Sequence, residues 1–165
     1  ARVDRLLCVG DVVGYAAEPA ECVAIVRALA PVMIAGNHDW AAGGRLSLDF
    51  FNPAAAAAIL WTRSVLSAAD LEWLSALPIS HVEDDTMLVH STVHDPEVFD
   101  YLQTPYDAYL SFQALATRRA VGTSPRSARR RSGAAPRCSR CAARRWIRRP
   151  WPAWPDRSWR ARRSP

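Results

Sequence analysis

Three short apolar runs in this chain each end in side chains able to bind a metal ion. "LLCVGD" closes on Asp11, "VMIAGNHD" on Asn37, His38 and Asp39, and "DTMLVH" on His90. A carboxylate, an amide oxygen and imidazoles are donors of intermediate hardness, a mixture suited to Mn, Fe or Zn rather than to a thiolate-loving ion. Each group alone has an ordinary explanation, because Gly-Asp and Gly-Asn pairs are common in turns. Their recurrence at one structural point argues for a shared site. In an open α/β sheet the carboxyl ends of the strands form the crevice where ligands bind, so residues far apart in sequence converge there. Asp11, Asn37 and His90 are therefore candidate metal ligands. Gly10 and Gly36 each precede one of them and allow the sharp turn and close approach that such a site needs. His81 and His94 end no expected strand and are assigned to solvated loops or surface.

The elements that must position these groups follow from periodicity. "DRLLCVGD" (4–11) has strand length. "EPAECVAIVRAL" (18–29) places Cys22, Ile25, Val26 and Leu29 on one helical stripe, and "PVMIAGNHD" (31–39) repeats the first pattern. Strand, helix, strand in this order predicts a right-handed parallel βαβ unit. "NPAAAAAILWTRSVL" (52–66) predicts a helix with Asn52 as N-cap and Pro53 at the first helical position. "SAADLEWLSAL" (67–77) predicts a second, opened by a Ser-x-x-Asp cap and stopped by Pro78. "DTMLVH" (85–90) returns to strand. Trp40, Trp61 and Trp73 are expected in the core or at a pocket rim.

Taken in order, "GDVVGY", "GNHDW", "FNP" and "LVHSTVHDPEVFDYL" resemble the calcineurin-like metallophosphoesterases, within them the small bacterial phosphodiesterase and phosphatase branch. The likeness runs over residues 4 to about 117. It implies an α/β fold, a sandwich of two β-sheets flanked by helices, here partial. It also implies two divalent metal ions that activate a water for in-line attack on phosphorus. On this resemblance Asp11 bridges both ions, while Asn37 and His90 bind the second. His38 stands beside the phosphate as general acid or stabiliser of developing charge, and Asp39 orients His38. The expected substrate is a small phosphoester or nucleotide. The family's opening Asp-x-His has no counterpart after Ala1, so the chain is expected to lack its first βα unit. The Gly-His-x-His due after the His90 strand is also missing, so one ion is expected to bind weakly and activity to be impaired.

Composition divides the chain in two. Residues 1–117 carry 5 Arg against 15 Asp and Glu, whereas residues 118–165 carry 16 Arg against the single Asp156, with no Lys anywhere. From Arg118 onward neither helical nor strand period persists, so 1–117 is read as the metallophosphoesterase domain and 118–165 as a disordered basic tail. Arg interleaved with Trp suits single-stranded nucleic acid, which makes a non-catalytic Arg-rich nucleic-acid-binding protein the rival reading. A catalytically inert relative that binds only a nucleotide or one metal is a third. A frameshift accounts for the tail better: codons for Gly122-Thr-Ser-Pro-Arg-Ser127, read one base later, can spell Gly-His-Leu-His-Val-Pro, the missing motif. Cys138 and Cys141 have the spacing of half a zinc site, but the tail offers no further ligand. The few scattered cysteines, with no signal peptide and no membrane-spanning run, point to a cytoplasmic protein with no membrane partner.

Overall fold

The computed structural model describes residues 5–29 and 32–123; the Cys138/Cys141 pair and most of the basic tail lie outside them. The chain opens with strand β1 (Leu7–Cys8), helix α1 (Pro19–Leu29) and strand β2 (Val32–Met33). β1 and β2 pair in parallel, Leu7 opposite Val32 and Cys8 opposite Met33, as the βαβ reading requires. Both strands are shorter than their apolar runs. Gly10 and Asp11 take left-handed backbone angles, φ +87° and +58°, which ends extension after β1. Beyond Gly36 the second run coils into a short helix, α2 (Asn37–Ala42), so Asn37 and His38 lie in a helical first turn and not at a simple strand end. The buried side of α1 is also displaced from the expected stripe: Pro19 and Val23 are buried, while Ile25 and Leu29 are exposed.

Helices α3 (Pro53–Val65) and α4 (Ala68–Ala76) carry the caps their sequences announce. Asn52 accepts the N–H of Ala55 at 2.9 Å, and Ser67 accepts that of Asp70 at 3.2 Å. Each cap satisfies a helical N–H that otherwise lacks a partner, typically worth about 1 kcal/mol. α2 packs against both helices, and the core gathers around it: Val13, Val23, Ala35, Trp40, Ile59, Leu74 and Phe99 form one buried cluster. Trp40 is buried and donates its indole N–H to the Leu77 carbonyl at 3.0 Å, and Trp73 packs against the cluster from α4. Trp61 departs from expectation. It is 44% exposed, because on α3 the inward positions are taken by Ile59 and Thr62.

The second sheet comprises β3 (Ser80–Glu83), β4 (Thr86–Val89) and β5 (Arg119–Val121), with β4 central, antiparallel to β3 and parallel to β5. Arg5, just ahead of β1, pairs with Glu83 at the end of β3, and the Ala35 N–H donates to the Pro78 carbonyl at 2.7 Å. These contacts join the two sheets. β5 corrects the reading of disorder from Arg118 onward: ordered structure continues through residues 119–121, where pairing to β4 supplies what periodicity could not reveal in a three-residue strand. Helix α5 (Pro105–Ala114), absent from the sequence reading, lies between them, its capping box closed by Thr104 and Asp107. Its apolar positions are scattered and only Ser111 is buried, so the chain shows no helical stripe there.

Ile59→Ala should therefore destabilise the protein by about 2–5 kcal/mol through cavity formation, whereas Trp61→Ala should cost clearly less because its ring keeps much of its contact with water. Urea denaturation followed by circular dichroism checks both.

Candidate metal centre

The loop after β1 and the start of α2 are held together by one carboxylate. Asp39, fully buried, accepts the backbone N–H groups of Asp11 (2.8 Å) and Gly36 (2.9 Å) on one oxygen, and of Val12 (2.9 Å) and Val13 (3.3 Å) on the other. Burial pushes its pKa up to about 6, against the pull of these N–H donors. The two loops approach so closely that a side chain fits on neither: a Cβ on Gly10 would stand 2.2 Å from the Gly36 nitrogen, and one on Gly36 would stand 2.2 Å from Asp11 Oδ1. This corrects the role expected for Asp39. Among the described residues it makes no hydrogen bond to the His38 ring; its hydrogen bonds all come from backbone N–H groups, and they set the position of Asp11.

Asp11 and His90 meet across the two sheets, with Oδ2 3.4 Å from Nε2. The other oxygen, Oδ1, accepts the His38 backbone N–H at 3.2 Å. His90 is buried just beyond β4, and its Nδ1 lies 2.6 Å from the Val9 carbonyl. A carbonyl only accepts, so Nδ1 carries the proton and Nε2 faces Asp11, the arrangement in which a backbone carbonyl fixes a ligand histidine. Burial works against the Asp11 charge, but the hydrogen bond and charge of His90, with smaller help from His38, hold the carboxyl below its ordinary range. Burial likewise disfavours a charged His90, and the Asp11 carboxylate overrides it and raises the imidazole. Among the described residues, Asn37 Oδ1 is buried without a hydrogen-bond partner. A buried, unsatisfied acceptor is costly and calls for a donor or a cation.

His38 lies under an aromatic cover. Its ring centroid is 4.4 Å from that of Tyr15 and 5.2 Å from that of Phe51, and its Nδ1 is buried without a partner. Gly14, at φ +94°, presses the loop onto this ring; a Cβ there would be 2.3 Å from Nδ1. Burial moves the imidazole below its ordinary pKa. Tyr15 is a residue the sequence reading passed over, although it stands in the same Gly-rich loop as Asp11. It is 69% exposed, and partial burial together with the Asp11 charge pushes the phenol up to about 12. His81 sits on β3, 4.0 Å from Glu83, and His94 is exposed beyond His90; neither joins the centre.

The donor set fits a divalent ion in part. Asp11, His90 and Asn37 supply a carboxylate, an imidazole and an unpartnered amide oxygen, while among the described residues no three His, Cys, Asp or Glu side chains converge. β5 brings one further position alongside: Thr123, just after it, donates its N–H at 3.1 Å and its hydroxyl at 2.6 Å to the His90 carbonyl. Gly122 before it has no room for a side chain, since a Cβ would meet the Val89 carbonyl at 2.3 Å.

The model of the calcineurin-like phosphoesterases matches residues 1–117. The chain belongs to this family. A crystal structure of a metallophosphoesterase from Sphaerobacter thermophilus superposes with a TM-score of 0.62 at 41% identity, covering 74% of this chain and 50% of that one. An uncharacterized protein of Methanocaldococcus jannaschii is 38% identical over 108 residues, 63% of this chain and 44% of its own length. The chain thus spans about half the length of these relatives. As a calcineurin-like phosphoesterase it has the mixed α/β architecture of two small sheets with helices, and among its described residues no helix is long and apolar enough to cross a membrane.

Asp39→Ala would strand four backbone N–H groups. A loss of about 3–5 kcal/mol is expected, since each unsatisfied buried donor costs about 1–3 kcal/mol and entering water offsets some of that. Asp39→Asn, which keeps one carbonyl acceptor, should fall between. Thermal and urea denaturation of the two variants measures the order.

Proposed function

We propose that this phosphoesterase binds a divalent metal ion, Mn, Fe or Zn, through Asp11, Asn37 and His90, and that the centre hydrolyses small phosphomonoesters or phosphodiesters. The observations that carry this reading are the Asp11–His90 contact and a buried, unpartnered Asn37 oxygen, in a chain of this family. A bound ion would supply Lewis acidity toward a phosphoryl oxygen and lower the pKa of a coordinated water. The chain's own residues supply the rest. Asp39 holds the loop so that Asp11 faces inward, and the Val9 carbonyl holds the His90 proton on Nδ1. His38, packed between Tyr15 and Phe51, offers a ring N–H to the phosphoryl or leaving oxygen where charge develops. With three donors the ion binds weakly, and the turnover of this chain is low.

Calorimetric titration with Mn²⁺ tests the ligand set, and hydrolysis of a bis-aryl phosphodiester tests the activity. Asp11→Ala and His90→Ala should each weaken Mn²⁺ binding at least tenfold, and Asn37→Ala somewhat less. Unchanged affinity in the Asp11→Ala, His90→Ala double variant would remove the proposal. Thr123→His, which sets an imidazole beside His90 at the end of β5, should tighten Mn²⁺ binding at least tenfold and raise hydrolysis in step.

A further inference from the structure

Beyond the metal centre, the loop after His90, the segment 100–104 and the first turns of α5 enclose an open cleft of about 230 Å³, lined by Thr92, His94, Asp100, Tyr101, Gln103 and Asp107 among others. Thr92, one of the lining residues, sets its place relative to the centre. Thr92 lies two residues beyond His90 and is buried. The cleft therefore begins where the candidate ligands end.

Its walls are anchored. The buried Ser111 hydroxyl lies 2.9 Å from His94 Nδ1, and among the described residues Nε2 makes no hydrogen bond. One oxygen of Asp107 accepts the N–H groups of Gln103 (3.0 Å) and Thr104 (2.7 Å), and the Thr92 hydroxyl donates to the Asp95 carbonyl at 3.2 Å. The side chains of Asp100, Tyr101 and Gln103 make no hydrogen bond among the described residues. Among the described residues two carboxylates and no Arg line the space, which disfavours a second phosphate or another anion there. Pockets for drug-sized ligands are about 300–1,000 Å³, so this one admits a single ring. Carboxylate, phenol, amide and imidazole are complementary to neighbouring hydroxyl groups, which both donate and accept.

Resting on the phosphoesterase reading for the adjoining centre, we infer that this cleft holds the alcohol portion of the substrate, a polyhydroxylated ring of the size of one pentose. The preferred substrates are then phosphoesters of sugars, ahead of polyphosphates and plain aryl phosphates. His94 and Asp100 act as specificity residues; among the described residues neither is hydrogen-bonded to a candidate metal ligand.

Two measurements on the full chain decide this. In the first, D-ribose is titrated without metal while the aromatic NMR signals of His94 and Tyr101 are followed. Saturable shifts in the millimolar range are expected, weakened at least tenfold on the Tyr101 signals in His94→Ala and Asp100→Asn. Absence of saturable shifts, or equal shifts in the variants, overturns the inference. In the second, kcat/KM for ribose 5-phosphate is divided by that for phenyl phosphate in Mn²⁺. The ratio should exceed one and fall about tenfold in His94→Ala, with Glu97→Gln, outside the cleft, as the control. A ratio unmoved by His94→Ala overturns the inference. Hydrolysis of neither ester counts against the phosphoesterase reading alone, because the ribose titration then still decides the cleft.

Discussion

A single buried carboxylate organises the functional end of this protein. Asp39 sits in the first turn of α2 and collects four N–H groups, three from the loop after β1 and one from the residue that opens its own helix. Those N–H groups have no strand or helix to satisfy them, and leaving them bare in a closed site would be costly. The carboxylate thus converts two irregular turns into one rigid unit. Its own burial is unfavourable, which is why its pKa rises, and the donors are what make that burial tolerable. Asp11 inherits its left-handed backbone and its orientation from this unit.

The same constraint explains the glycines around it. Gly10, Gly36 and Gly14 stand where backbone meets backbone or backbone meets the His38 ring, and each is at a distance no Cβ could occupy. Close packing there sets the Asp11 carboxylate against Gly36 and the His38 backbone N–H, and the His38 ring against Gly14. His90 then arrives from the second sheet and is tied back to the first by the Val9 carbonyl. The centre is a joint between the two sheets. The Asp11–His90 contact crosses that joint, and the Phe99 ring meets both His90 and Trp40 in edge-to-face pairs, linking the joint to the core.

Around this joint the protein separates two chemical environments. On the side of His38 the cover is aromatic, from Tyr15 and Phe51, and excludes competing hydrogen bonds from one imidazole nitrogen. On the side of His94 the surface is polar and carries two carboxylates. Tyr15 packs its ring on His38, and the Asp11 charge raises its phenol. One face is suited to holding an imidazole in place, the other to sorting ligands by charge.

Much of this was legible in the sequence where the information is local. Helices α3 and α4 follow from Asn52, Pro53 and Ser67, because a cap is chemistry between residues three apart and needs no tertiary partner. The parallel βαβ unit follows from two apolar runs around an amphipathic stretch, and Asp11, Asn37, His38 and His90 stood out because they end such runs. The family likeness added the link between them. What the sequence could not contain was direction and distance. Asp39 looks like a partner for the neighbouring His38, yet its carboxylate turns to backbone groups almost thirty residues away, and only the approach of two loops decides that. Trp61 has the size of a core residue, but the inward face of α3 was already filled by Ile59 and Thr62. β5 is three residues long and carries no period of its own; it is a strand because β4 offers an unpaired edge beside it. Local backbone chemistry is written in adjacent residues, whereas burial, pairing and the partner of a long-range hydrogen bond depend on what else reaches the same space.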